Sequence, residues 1–142
     1  MAVPGQGEGG GTAPEARGRT TIADSVVEKI AGMATREVPG IHSLGSGMAR
    51  KVGAVTDKVP GGRPSVTRGV KVEVGERQAA IDLDVVVEYG ASIVDIAADV
   101  RTSVITAVER MTGLEVVEVN LTVDDVHLPY EEDEEDGESR VQ

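Results

Sequence analysis

Few side chains in this sequence could do chemistry at a site, and those few are scattered. The two histidines, His42 and His127, are far apart, and no His-Glu-x-x-His, Ser-His-Asp or Gly-x-Ser-x-Gly arrangement surrounds them. A general base also needs a nucleophile and an orienting group within reach. Each histidine is therefore expected as a satisfied or solvent-exposed side chain. Asp82, Asp84, Asp124 and Asp125 are the acids that could share one sheet face. Calcium or magnesium would need several of their oxygens to converge on one point. No EF-hand spacing is present, and alternating Asp on a strand points outward in rows, so a solvated face is expected rather than a metal site. Gly45-Ser46-Gly47 could cradle a phosphate, but neither it nor Gly61-Gly62-Arg63 has the spacing of a P-loop. The chain has no Cys, which removes disulfides, thiolate metal sites and Cys nucleophiles. No catalytic, cofactor-binding or metal-ligating residue is expected.

Charge is the stronger signal. The net charge is −11, unevenly distributed. Between Gly45 and Arg68, the basic residues Arg50, Lys51, Lys58, Arg63 and Arg68 face only one acid, Asp57. These five are the candidate interaction residues, suited to an anionic surface, an acidic partner segment or the chain's own tail. That tail, residues 130–142, contains the run Glu131 to Asp136 and reads as a disordered acidic segment. Opposite charges on such segments attract within a Debye length of about 8 Å at physiological salt. An acidic protein repels nucleic-acid phosphates. The loop also lacks a convincing Gly-x-x-Gly clamp between two helices, and the strands offer no stacking aromatics, so RNA binding through residues 50–68 is the lesser alternative.

These residues must be positioned by a single small domain. Residues 1–18 are rich in Gly and Pro and read as a disordered leader. The domain is expected over residues 19–129, with the basic loop 45–68 inside it. Thr21 reads as a helix N-cap with Asp24 three residues on. Ile22, Val26, Ile30 and Met33 then form an apolar helical stripe, widened by Ala23, Val27 and Ala34 and stopped by Pro39-Gly40. Ile41 to Leu44 can form a short strand. Val70, Val72 and Val74 alternate with Lys71 and Glu73. After a turn at Gly75 to Gln78, Ile81, Leu83, Val85 and Val87 alternate with Asp82, Asp84 and Glu88, which makes a hairpin with one wet face. A second helix is expected from Ser92 to Thr112, with Gly113 as its C-terminal cap and Ile93, Ile96, Ala97, Val100, Val104, Ala107, Val108 and Met111 as its apolar face. Val117, Val119, Leu121 and Val123 mark a last strand. The fold class is α+β: a small mixed or antiparallel sheet of three to four strands, two helices on one face, in the order α-β-loop-β-β-α-β. With no Phe or Trp, the core must be filled by Val, Ile, Leu, Met and Ala. Such a domain is expected to be modestly stable and helped by a partner or self-association.

The ordered set of segments resembles the alkaline shock protein family, also called the envelope stress response protein family. It runs Gly69 to Gly75, Ile81 to Gly90, Val100-Arg101, Val108 to Val116 and Val119 to Val126. The opening helix with Val38-Pro39-Gly40-Ile41 is similar too. The resemblance implies a non-enzymatic cytoplasmic scaffold in envelope stress and homeostasis. It implies self-association as a homo-oligomer and attachment beneath the membrane through a membrane-anchored partner protein. It supplies no catalytic residues. No apolar run is long enough to cross a bilayer, and the N-terminus does not read as a signal peptide. A regulatory protein docking on a metabolic enzyme is a further alternative, suggested by the two charged segments.

Overall fold

Ile81, Leu83, Val85 and Val87 are all buried, while Asp82 is exposed and Asp84 and Glu88 are partly so. Their strand carries the whole sheet. The computed structural model describes residues 13–45 and 66–131. A short 3-10 turn at Pro14–Ala16 precedes α1 (Asp24–Arg36) and β1 (Ile41–Leu44). Then follow β2 (Val70–Val74), β3 (Gln78–Glu88), α2 (Ile93–Thr112) and β4 (Glu115–His127). The element order and the α+β class are those expected. The sheet is mixed: β1 and β2 pair antiparallel with β3, and β4 pairs parallel with it after the α2 crossover.

β3 has two edges. β4 runs along one from Gln78 to Glu88, so β1 and β2 share the other, β2 beside Ala79–Leu83 and β1 beside Val85–Val87. They meet at Asp84. The Gly45 N–H donates to the Asp84 carbonyl (2.7 Å), and the Asp84 N–H donates to the Gly69 carbonyl (2.9 Å). Gly69 has φ +81°, and a Cβ there would collide with the Gly45 backbone.

One apolar core lies between the helices and the facing side of the sheet, built mainly of Val, Ala, Ile and Leu. α2 matches its expected limits. Ser92 Oγ accepts from the Asp95 N–H at 3.2 Å, and Gly113 closes the helix at φ 78°. Its buried stripe is Ile96, Val100, Val104 and Val108, whereas Ile93 and Met111, expected on that face, are exposed. A straight stripe of that width covers only the middle turns.

α1 differs more. It starts at Asp24, its N-cap is Ala23, and no side chain caps it; Thr21 does not do so. The buried residues are Val27, Ala31, Gly32, Ala34 and Thr35, while Val26 and Met33 are exposed. The buried face is therefore the Val27 and Ala34 side of the predicted stripe, rotated toward the small residues. A Cβ on Gly32 would collide with the Val66 carbonyl oxygen, so the backbone before β2 lies directly on the helix. Only small side chains permit that approach. Thr35 Oγ1 settles its buried hydroxyl on the Ala31 carbonyl at 2.8 Å. Ser103 Oγ of α2 donates to the Ala34 carbonyl at 3.2 Å, tying the helices together.

β3 starts three residues before the expected Ile81, and β4 extends beyond its expected limits at both ends. The β3–β4 register slips between Ala79 and Ala80 and between Val85 and Val86. The first slip leaves Val117 exposed, although alternation placed it inside, and turns Val116 and Val119 inward.

Candidate functional site

The sheet face away from the helices carries the acids. Glu73, Asp82, Glu118 and Asp124 are exposed, and Asp84 is half-buried. Asn120 Nδ2 donates to Asp82 Oδ1 at 2.9 Å and also to a Glu118 oxygen. Burial, helped by the neighbouring charges of Asp124 and Asp82 and opposed by Lys71, pushes the Asp84 carboxyl above its ordinary value. This is the solvated acidic face expected. Among the described residues, its aspartates form no converging ligand set.

The end of that face near Glu88 is different, and two bulges make it so. In β1, Ile41 pairs with Val87, Ser43 with Val86 and Leu44 with Val85, so His42 is an extra residue. In β4, Val123 pairs with Val85 and Asp125 with Val86, so Asp124 is extra. Simple alternation from Val119, Leu121 and Val123 would turn residue 127 into the core. The bulge reverses that parity, and His127 comes to lie opposite Glu88 on the outer face. Both bulges flank the same stretch of β3, one on each edge.

The two histidines consequently reach toward each other across β3. Their ring centroids are 3.8 Å apart and their planes 8° from parallel. Glu88 lies beside both: Nδ1 of His42 is 3.1 Å from Oε2, and Nδ1 of His127 is 3.1 Å from Oε1. The hydrogen bond from His127 lowers the Glu88 carboxyl from its ordinary value, with a further contribution from His42 and some opposition from burial. This end of the face is partly covered, although the Glu88 side chain remains 46% exposed. Val86, two residues before Glu88 and on its face by alternation, is 1% exposed. His127 Nε2 and Ser43 Oγ are buried with no hydrogen-bond partner among the described residues.

The histidines, expected as satisfied or solvent-exposed side chains, each have Glu88 as a partner, and their closeness in space is what the sequence did not announce. They are one unit with a shared carboxylate, and one of them keeps a buried, unpartnered nitrogen. Distance along the chain said nothing about distance in space, because β1 and β4 meet only through β3. The other candidates are less visible. Arg50, Lys51, Lys58 and Arg63 lie outside the described residues, as do Ser46, Gly47 and Gly61-Gly62. Arg68 is half-buried in the turn before β2. The Gly45 N–H is committed to Asp84, so it does not cradle a phosphate. Of the acidic tail, Tyr130 and Glu131 are described. The Glu131 N–H donates to the Leu128 carbonyl and its carboxylate accepts from the Leu128 N–H, both at 3.0 Å.

A second feature lies on the outer side of the helices. Lys29, Ile30, Met33 and Glu37 of the α1 segment and Ala107, Arg110 and Met111 of α2 line one shallow groove. Met33 is 48% exposed and Met111 64%. Among the described residues, no helix is long and apolar enough to cross a membrane.

The model of the alkaline shock protein 23 (Gls24) family, of cell envelope-related function, matches residues 12–128. A stress response regulator gls24 homolog of Streptococcus pyogenes is 40% identical over 110 residues, which is 78% of this chain and 59% of that protein. This chain thus spans about three-fifths of the length of those relatives. The Bacillus subtilis proteins YqhY and YloU, both uncharacterized, are 34% and 32% identical over 106 and 111 residues. Those matches cover 75% and 78% of this chain, and 75% and 90% of the relatives. No solved structure matches.

Proposed function

Because the chain belongs to the alkaline shock (Gls24) family, whose function is cell envelope-related, we propose that it is a non-enzymatic cytoplasmic scaffold of the envelope stress response. In this reading it acts by self-association and by binding a membrane-anchored protein partner. The observation that carries the reading is the groove between the helices. Met33 and Met111 expose large apolar side chains there, flanked by Lys29, Glu37 and Arg110. Methionine is an adaptable contact residue. Charges of both signs around it suit a two-fold contact in which a patch meets its own copy. Stress-response relatives support the physiological setting. With no described helix able to span a bilayer, the partner supplies the membrane contact.

Light scattering of the full chain at increasing concentration, beside a Met33→Glu/Met111→Glu variant, tests the self-association. The wild type should associate and the variant stay monomeric with an unchanged circular dichroism spectrum. A wild type that stays monomeric throughout and is absent from the membrane fraction of its host would overturn the proposal.

A further inference from the structure

We propose that His42, Glu88 and His127 bind one divalent transition-metal ion of the zinc, cobalt or nickel class. Two imidazoles and a carboxylate are the donor set that such borderline cations prefer, whereas calcium and magnesium take oxygen alone. One ligand atom from each of the three residues lies within 4.8 Å of the others, and all three side chains are half-buried. The separations suit chelation. With metal bonds of about 2.0–2.2 Å, a nitrogen and an oxygen 3.1 Å apart subtend close to a right angle at the ion. The ion would take the place of the proton on each Nδ1: a neutral ring keeps its proton by carrying it on Nε2 instead, and a protonated ring releases one proton to solvent.

The backbone argues the same way. Two bulges, on opposite edges of β3, each serve to bring one histidine onto the outer face beside Glu88. Bulges are costly interruptions of a ladder and recur where a side chain has to be re-aimed. One adjustment is required. Nitrogen lone pairs lie in the ring planes, and planes 8° from parallel do not aim at one point. One ring must turn about its last torsion, which is broad for histidine. The rings then give up their stack for metal–nitrogen bonds.

The test uses the full chain freed of metal by a chelator. Zn²⁺ is titrated calorimetrically, and Co²⁺ is added to read its visible d–d bands. One equivalent should bind. His42→Asn/His127→Asn should weaken binding by more than about tenfold, and Glu88→Gln should weaken it too. The acidic residues 131–138 are untouched in these variants, so binding that survives the histidine substitutions belongs to the tail and overturns the proposal. So does a lack of saturable binding by the wild type. Because a variant could misfold, the imidazole ¹⁵N resonances of the wild type are followed with Zn²⁺. Both histidines must shift, and unchanged resonances reject the site.

Discussion

His42 and His127 face each other across β3, with ring centroids 3.8 Å apart and planes 8° from parallel. They come from the first and last strands of the sheet, so this contact joins its two outer edges over the central strand. Each single substitution to Ala should cost about 1–2 kcal/mol. The double variant should cost less than the sum, with a coupling of about 0.5–1.5 kcal/mol. Urea unfolding of the four proteins in the cycle, in metal-free buffer, measures it. Strict additivity would mean that the rings are neighbours without mutual stabilisation.

Gly32→Ala should be the most damaging single-methyl addition to α1. Alanine favours a helix interior by about 1 kcal/mol over glycine, but here its Cβ would meet the Val66 carbonyl oxygen. Backbone cannot move aside as a flexible side chain can. The net loss should be about 1–3 kcal/mol, read as a lower urea midpoint. Gly18→Ala, where a Cβ meets nothing within 4 Å, serves as the control and should be close to neutral.

Asp84 gives a pH dependence of definite sign. Its folded-state pKa is raised above 3.8, chiefly by burial. The folded state therefore holds the proton more tightly than the unfolded chain does. This residue's contribution improves as pH falls from the raised value toward 3.8 and is unfavourable when Asp84 is charged at neutral pH. Asp84→Asn should thus stabilise the protein at pH 7, with the gain fading in acid. Midpoints of urea unfolding at the two pH values check this, and a variant less stable at pH 7 would contradict it.

Much of the fold was legible because local chemistry agreed with the final structure. β1 and β2 end where alternation said, and α2 carries the Ser92 and Gly113 caps that its sequence announces. The buried side of α1 was legible only in part, since Val27 and Ala34 belong to the expected stripe and are buried. Ile22, Val26, Ile30 and Met33 make the more apolar stripe, yet contact with the backbone at Val66 selects the side holding Ala31, Gly32 and Thr35. Close approach outweighed hydrophobicity there. The histidine site was hidden for another reason. A bulge leaves little mark in residue type, and one extra residue inverts every later side chain. His127 looked like a continuation past the last apolar position of β4. Only its pairing with Glu88 puts it on the outer face. The bulged Asp124, followed by Asp125, breaks the alternation, and that break was the one available signal.

The meeting of Gly45 and Gly69 on Asp84 separates two histories within one chain. β1 and β2 lie end to end along one edge of β3, and the sheet receives them as a single interrupted strand. The chain leaves this edge and returns to the same residue. What lies between Gly45 and Val66 can therefore lengthen, shorten or change its charge at a cost that grows only slowly with length. Four of the five candidate cations, Arg50, Lys51, Lys58 and Arg63, fall in that interval of the sequence, and Arg68 follows it. The strand pairings on either side of this interval close on the same residue of β3, so a change in the interval's length or charge leaves them in place.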